Sequence, residues 1–307
     1  MTKRRGITHE ALGEPGGAIR GGMPGDRRQD RRAAVEALVR SARIEVIPLR
    51  GAEEKLAAVP PSTTVTITCS SKFGLERTLE YTALAAKAGH RVVPHLAARQ
   101  VVDEAGLRDF ISRLEELGVS DLYVIGGDAP QPAGAFSSAA ELLDSLAEHD
   151  HHLQTVGVAC YPEGHQAISD AKLLEALRLK QPHADYMVSQ LCFDADAIVG
   201  WLRRTRSEGI ELPLVLGLAA PMEMRKLAQL SLRIGVGSSL RYLTKQRGLV
   251  GNLLRGGAYR PETLLFALDG ALASSELEIE QLHLFSFNQI DATLEWQRRV
   301  AAIDRVA

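Results

Sequence analysis

The sequence predicts an α/β protein of the (β/α)8 TIM-barrel class, and three observations lead to that prediction. Strand-like runs of small and β-branched residues alternate with amphipathic helical stretches, which is the pattern of successive βα units. Eight candidate strands are present, and eight such units close a parallel barrel. Several strands end in polar groups, as in the segment Gly157–His165, which changes from a buried-strand pattern to Tyr, Pro, Glu, Gly and His. In a barrel, such strand ends form the active site.

The N-terminal part of the chain is predicted to lie outside the barrel. Residues 1–32 are rich in Gly and Arg and show almost no core pattern, so a flexible tail is expected there. Residues 33–307 are predicted to form a single catalytic barrel domain. The spacing of Val35, Leu38 and Val39 indicates a helix over Arg32–Ala42 that covers the bottom of the barrel.

The remaining elements follow in alternating order. The predicted strands are Ile44–Leu49, Thr64–Cys69, Arg91–Leu96, Asp121–Gly126, Thr155–Ala159, Tyr186–Leu191, Leu214–Leu218 and His283–Phe287. The helices between them are predicted at Leu75–Ala88, Gly106–Leu117, Ala139–Glu148, Ala167–Lys180 and Asp194–Ser207. The last connection, Ala219–Leu282, is long, and its pattern predicts helical segments at Met222–Arg233, Ser238–Arg247 and Pro261–Leu272.

Composition favours a small-molecule partner. The 36 Lys and Arg residues against 38 Asp and Glu give a net charge of -2, which provides no electrostatic reason to expect nucleic acid or an anionic membrane as partner. No apolar segment approaches the roughly 20 residues that cross a bilayer, and no signal-peptide core is found. Cys69, Cys160 and Cys192 lack C-x-x-C spacing and are interpreted as small buried hydrophobes. A cytoplasmic location is therefore expected.

Two acidic residues at strand positions are candidates for chemistry. Glu45 interrupts the first predicted strand. Buried among apolar neighbours, its carboxyl would have a raised pKa and would act as a general acid. A salt bridge or an exposed strand position is the alternative. Asp128 follows Gly126 and Gly127, which let a ligand approach the backbone, and its carboxylate would accept hydrogen bonds from ring N–H groups. An ordinary turn is the alternative here.

Polar side chains at other strand ends are candidates for ligand binding. His95 and His165 are expected on the same rim of the barrel, either as ligand contacts or in structural roles. No H-x-H or H-E-x-x-H spacing indicates a metal site, so none is predicted. Gln190 can both donate to and accept from a heterocycle. Asp194 is predicted to cap the helix that follows it, and Asn288 either shapes the last rim loop or contacts ligand.

Taken in order, these pieces resemble the catalytic domain of the 5,10-methylenetetrahydrofolate reductase family. The resemblance extends from about Ile44 to Asn288. It rests on Glu45 in strand one, Thr68 after strand two, Pro94-His95-Leu96, Gly127-Asp128, Tyr161-Pro162-Glu163-Gly164-His165, Ser189-Gln190 with Phe193-Asp194, and Phe285-Ser286-Phe287-Asn288. The Tyr-Pro-Glu-x-His motif followed by the Gln-x-x-Phe-Asp strand end is the most specific part.

The resemblance implies an oxidoreductase of one-carbon metabolism that interconverts methylene- and methyl-tetrahydrofolate, with FAD as cofactor and NADH or NADPH as cosubstrate. It implies that Glu45 protonates N10 of the folate, that Asp128 holds the pterin and tunes the flavin, and that Gln190 hydrogen-bonds the pterin. Phe287 and Gln289 are implied as further substrate contacts. The implied flavin contacts are Thr68, His95, Gly126, Gly127, Asp128, Tyr161, His165 and Arg178. Because the family often assembles, a homo-oligomer is also expected.

This chain departs from the family pattern mainly on the flavin side. Gly126 replaces an arginine after strand four, and Lys172, Glu175 and Leu179 replace Asp, Asn and Lys on the following helix. Gln289 also replaces an arginine near the folate tail. FAD binding is expected because most rim positions remain. Three alternatives stay open: direct hydride transfer from NAD(P)H without flavin, action on another one-carbon carrier, and a barrel that binds folate or flavin without turnover.

Overall fold

The structure, a computed structural model, describes residues 24–233 and 257–301, and it shows a closed parallel barrel. Each strand pairs with the next in sequence, and the eighth returns to pair with the first. The strands are β1 Arg43–Val46, β2 Thr64–Ile67, β3 Arg91–Ala97, β4 Asp121–Ile125, β5 Thr155–Cys160, β6 Tyr186–Ser189, β7 Leu214–Ala219 and β8 Ile279–Phe285. The predicted (β/α)8 fold is therefore confirmed.

Helices surround the barrel and also precede and follow it. They are α1 Pro24–Arg40, α2 Ala52–Ala57, α3 Gly74–Lys87, α4 Glu104–Glu116, α5 Ala139–Ala147, α6 Asp170–Lys180, α7 Ala195–Ser207, α8 Met224–Arg233, α9 Glu262–Ala267, α10 Asp269–Leu272 and α11 Ile290–Val300. Short 3-10 turns occupy Ala98–Gln100 and Gln181–His183. As predicted, Asp194 caps α7, since its carboxylate accepts hydrogen bonds from the backbone N–H groups of Asp196 and Ala197.

The main core lies between the outer faces of the strands and the inner faces of the helices. Strands β4, β6 and β7 are buried along nearly their whole length, which explains their continuous apolar pattern. The helices contribute one apolar face each, as α4 does with Leu107, Phe110, Ile111 and Leu114. This packing fixes the strand ends that carry the polar side chains described below.

Several element boundaries differ from the predictions. Helix α1 begins at Pro24, within the segment predicted as a flexible tail, and β8 begins at Ile279 instead of His283. Helices α2 and α11 were not predicted. The predicted helical segment Ser238–Arg247 lies outside the described residues. Helix α6 begins at Asp170 because the loop that follows Tyr161 extends further than the apolar spacing indicated.

No helix within the described ranges combines the length and the apolar character needed to span a membrane.

Candidate active site

A cavity of about 680 Å³ lies at the carboxyl ends of the strands, and we call it the rim cavity. Its lining includes Glu45, Thr68, Cys69, His95, Tyr123, Gly126, Gly127, Asp128, Tyr161, His165, Gln190, Phe285 and Phe287. The carboxyl face is where barrels of this class bring side chains from many strands together. Most of the residues that the sequence nominated are thus brought to one place.

A second cavity of about 510 Å³, the side cavity, adjoins the rim cavity. It lies against α6, and Lys172, Glu175, Leu179 and Lys180 are part of its wall. The two cavities share the residues Ile125, Gly126, Gly127, Ala159, Tyr161 and Ile168. The two cavities therefore lie side by side, one at the strand ends of the barrel and one beside α6.

Glu45 points from β1 into the rim cavity although its side chain is almost fully buried. The residue is 5% exposed, and its carboxylate Oε2 lies 3.3 Å from Nε2 of His283 on the neighbouring strand β8. The hydroxyl of Ser286 donates to the backbone carbonyl of Glu45 and holds this part of β1 in place. Of the two predicted alternatives, an exposed position is therefore wrong. The carboxyl group lies at the floor of the cavity, beside a histidine.

His95 lies in β3 on the same floor and is 5% exposed. Its Nε2 atom is buried and has no hydrogen-bond partner among the described residues. The ring packs edge to face on Tyr123 with centroids 4.7 Å apart, and it lies 6.1 Å from the His283 ring. Burial, assisted by the neighbouring charge of His283, lowers the pKa of His95 well below its usual value. The ring therefore favours the neutral form, and one of its buried nitrogens has no partner among the described residues.

Glu45, His95 and His283 form a compact group that no local spacing could reveal. Each offers one atom capable of binding a metal, and these atoms all lie within 4.8 Å of one another. The three residues come from β1, β3 and β8, so only barrel closure brings them together. No metal site was predicted because short ligand spacings are absent from the sequence. This group has no short spacing, since its residues are far apart in the chain.

The loop after β4 presents Asp128 to the rim cavity. Gly127 has a φ of +93°, and a Cβ at that position would lie 3.1 Å from Cβ of Ala97. Only glycine meets both constraints without strain. The side chain of Arg99 fixes the rest of the loop by donating to the carbonyls of Ala129 and Pro130 at 2.7 and 2.8 Å. Asp128 is thereby held at an exposed position on the cavity wall.

Tyr161, His165, Thr68 and Gln190 also line the rim cavity. Tyr161 and His165 pack edge to face with ring centroids 5.3 Å apart. The Thr68 hydroxyl is buried without a partner among the described residues. The Gln190 side-chain oxygen accepts from the backbone N–H of Leu191 at 2.8 Å, which orients its amide. These groups match the predicted ligand-facing rim.

Arg178 does not reach either cavity, contrary to the flavin contact implied for it. It is exposed near the end of α6, where its guanidinium pairs with the Glu208 carboxylate beyond α7. Helical periodicity explains this placement, because Lys172, Glu175 and Leu179 occupy the face of α6 toward the side cavity. The arginine that the sequence comparison singled out therefore stabilises the contact between two outer helices.

The three residues predicted as functional in the loop after β8, Phe287, Asn288 and Gln289, have different positions. Phe287 lines the rim cavity, with a φ of +47°. Gln289 is not part of the lining, and its amide lies 3.4 Å from the Phe287 carbonyl, so the structure does not place it as a substrate contact. Asn288 exchanges two 2.9 Å hydrogen bonds with the backbone N–H and C=O of Ile47. It shapes the loop by joining the end of β8 to the end of β1.

Sequence reasoning missed two buried residues beside the site. His283 was assigned only to a strand, although an inward-facing histidine two positions before Phe285 is a detectable signal. Lys180 reaches from α6 under the end of β5, where its ammonium donates to the Ala159 carbonyl at 2.6 Å. Burial lowers the pKa of Lys180 to about 8. A buried lysine at the end of a helix resembles an exposed one in sequence.

The sequence is similar to a known protein family and to individual members of it. The family model of methylenetetrahydrofolate reductase matches residues 49–238. Methylenetetrahydrofolate reductase 1 of Schizosaccharomyces pombe is 28% identical over 116 residues, which are 35% of this chain and 19% of that protein. Methylenetetrahydrofolate reductase 2 of Saccharomyces cerevisiae is 28% identical over 122 residues, 36% of this chain and 20% of that protein.

The matched segments thus span about a fifth of the length of these two relatives. A solved structure described as a lyase/mutase from Burkholderia cenocepacia J2315 has a TM-score of 0.47 and 15% identity, with 90% of each chain covered. The family model covers more than half of this chain and includes the strand ends β2 to β6 that line the rim cavity. The resemblance seen in the sequence is confirmed, and the chain belongs to the methylenetetrahydrofolate reductase family.

Proposed function

We propose that this chain interconverts 5,10-methylenetetrahydrofolate and 5-methyltetrahydrofolate, with a hydride that originates from or returns to NADH or NADPH. The observation that carries the proposal is Glu45, a buried carboxyl group at the floor of a cavity large enough for a heterocyclic ligand. Membership in the family supports the same substrate class. Net reduction consumes the methylene compound, one hydride and one proton.

Glu45 acts as the proton donor in the reducing direction. Protonation of N10 breaks its bond to the methylene carbon and opens the five-membered ring, leaving an iminium at N5 whose carbon accepts the hydride. The acid must reach N10 inside a site that excludes bulk water, and Glu45 is 5% exposed at the cavity floor. His283, 3.3 Å away, is the polar neighbour that fixes the carboxyl orientation.

The remaining rim groups orient the folate. Asp128 accepts from pterin N–H groups, and the Gln190 amide, already oriented by its contact with the Leu191 N–H, bonds the pterin edge. Phe287 covers the ring from the last rim loop. Positioning of this kind accounts for a large share of rate enhancement because it replaces an encounter in solution by a fixed geometry.

The rim also fits the ring system of FAD. Thr68 and His95 place buried polar atoms with no partner among the described residues on this cavity, and such atoms suit a heterocycle with several N and O atoms. Gly127 leaves the wall free of a side chain. The adjoining side cavity adds about 510 Å³ of space beside the rim cavity for the rest of the dinucleotide. FAD, when bound, relays hydride between the nicotinamide and the folate.

The test is Glu45→Gln, which keeps the shape of the side chain and removes its acidity. We expect kcat to fall by about 100-fold or more while Kd for 5-methyltetrahydrofolate stays within about twofold. Both quantities are measured by stopped-flow absorbance and isothermal titration calorimetry. Glu280→Gln, an exposed substitution in β8, is the matched control. Undiminished turnover in Glu45→Gln would show that another group supplies the proton.

A second candidate function, direct hydride transfer from NAD(P)H without flavin, is favoured by the placement of Arg178. With that guanidinium paired to Glu208, the α6 face of the side cavity presents Lys172 beside Glu175 and Leu179. An anionic diphosphate meets less positive charge there than the family pattern implies.

The visible absorption spectrum of the full chain separates the two candidates. Under the first proposal, the purified protein or the protein mixed with FAD shows bound flavin near 450 nm, roughly the usual flavin maximum. Folate turnover with NADH by a protein that binds no flavin would replace the first candidate by the second. Absence of folate turnover with either donor, with or without FAD, would contradict both.

A further inference from the structure

We propose that Glu45, His95 and His283 form a binding site for a divalent transition-metal ion, with Zn²⁺ as the preferred ion, at the floor of the rim cavity. The three side chains offer one carboxylate oxygen and two imidazole nitrogens, which is a recurrent ligand set for Zn²⁺. Oxygen-preferring Mg²⁺ and Ca²⁺ are poorly matched by two imidazoles. The residues lie on three different strands of a rigid barrel, so the site is formed before any ion arrives.

The distances require little rearrangement. Zinc bonds of about 2.0–2.2 Å place neighbouring ligand atoms of a tetrahedral site roughly 3.3–3.6 Å apart. Glu45 Oε2 and His283 Nε2 are separated by 3.3 Å. The candidate atoms of all three residues lie within 4.8 Å of one another, so a side-chain shift of roughly 1 Å brings His95 to bonding distance.

In the chain without flavin this place also lacks a partner within residues 24–233 and 257–301, so zinc and FAD would compete for His95. His95 Nε2 is buried and unpartnered among the described residues, and buried polar atoms in folded proteins rarely lack a partner. Glu45 and His95 line the rim cavity, which provides a path by which an ion reaches the site.

Occupancy of this site would inhibit the proposed reaction. A Glu45 oxygen bound to zinc cannot carry the proton that N10 requires, and the ion would occupy space on the cavity floor. Inhibition therefore rests on the proposed function, whereas metal binding does not. The two parts are tested by separate measurements.

Binding is measured on the full chain, untagged, freed of metal by a chelator and without folate or flavin. Titration calorimetry with ZnCl2 is expected to give one ion per chain, and CoCl2 is expected to produce a visible absorption band of a low-coordinate site. His95→Gln and His283→Gln should each weaken zinc binding by about 10-fold or more. His151→Gln, an exposed histidine in the loop after α5, is the control and should leave zinc affinity unchanged.

Circular dichroism and thermal unfolding of each variant establish that the fold is retained, and Glu45→Gln provides a third ligand variant, of similar shape to the wild type. Zinc affinity that is lost in all three ligand variants and kept in His151→Gln supports the site. Absence of stoichiometric zinc binding, or binding that persists in His95→Gln and His283→Gln, overturns it. Full turnover by the zinc-loaded enzyme would overturn the inhibitory role alone.

Discussion

At the scale of single residues, the side chain that a strand position can hold depends on the side chains of the neighbouring strands. Gly157 in β5 shows this directly, because Tyr186 of the neighbouring strand fills the space where its side chain would be. The guanidinium of Arg43 lies in turn 4.3 Å from the centre of the Tyr186 ring. A strand pattern indicates a small residue at position 157 but does not say why it must be glycine.

Gly157→Ala should lower the free energy of unfolding by about 1–3 kcal/mol, because the added Cβ overpacks a rigid interior. An ideal Cβ at position 157 would lie 2.4 Å from two carbons of the Tyr186 ring. Gly200→Ala in α7 is the control in which the added methyl group meets no neighbour, since nothing lies within 4 Å of the Cβ position. That substitution should stabilise the protein by about 0.5–1 kcal/mol through helix propensity. Urea unfolding of both variants measures the contrast, and equal effects would contradict this account.

The candidate site also illustrates what single residues reveal. Glu45, Thr68, His95, Asp128 and Gln190 follow from strand-end positions together with the family resemblance, and all five line the rim cavity. Arg178, implied by the resemblance as a flavin contact, lines neither cavity and pairs with Glu208, because a small shift along a helix turns a side chain to another face. The proximity of Glu45, His95 and His283 was not visible in the sequence for a different reason, since these residues lie on strands far apart in the chain.

At the scale of elements, the contact between α6 and β5 combines packing with titration. Lys180 of α6 is 7% exposed. Its ammonium donates a hydrogen bond to the backbone carbonyl of Ala159, near the end of β5. Burial lowers its pKa to about 8, from 10.5. The folded protein therefore releases this proton at lower pH than the unfolded chain does.

Between about pH 8 and pH 10.5 the unfolded state binds more protons at this lysine than the folded state, so stability rises with pH through that window. Relative to Lys180→Met, the wild-type free energy of unfolding should increase by about 1 kcal/mol per pH unit there. Lys172→Met replaces an exposed lysine of the same helix. The difference in free energy of unfolding between the wild type and Lys172→Met should therefore not change with pH. Denaturant titrations from pH 7 to 10 measure it, and a flat difference for Lys180→Met would refute the assignment.

At the scale of the whole molecule, the first and last helices pack together beside the barrel. The Gln297 side chain in α11 donates to the Val39 carbonyl in α1 at 2.9 Å, and Arg40 donates to the Ala301 carbonyl. Both ends of the described chain are thereby joined to the same barrel. The contact links segments separated by more than 250 positions.

Gln297→Ala should lower the free energy of unfolding of the whole barrel by about 1 kcal/mol, because a buried hydrogen bond between its two ends is lost. Unfolding monitored by tryptophan fluorescence and by circular dichroism should remain coincident, and Gln131→Ala, an exposed control, should have no effect. Separate transitions for the two probes would show that α1 and α11 are not part of one cooperative unit.

The sequence by itself determined the barrel class, the order of its strands and most of the polar strand ends, because hydrophobic periodicity and turn residues are local properties of the chain. Only the tertiary structure decided that His283 lies close to Glu45 and His95. It also decided that Asn288 hydrogen-bonds to Ile47 and so joins β8 to β1, and that Arg178 pairs with Glu208. Each of these depends on closure of the barrel or on the rotation of a helix against its neighbour. Local sequence patterns carry no record of distances across the interior, so only the folded chain sets them.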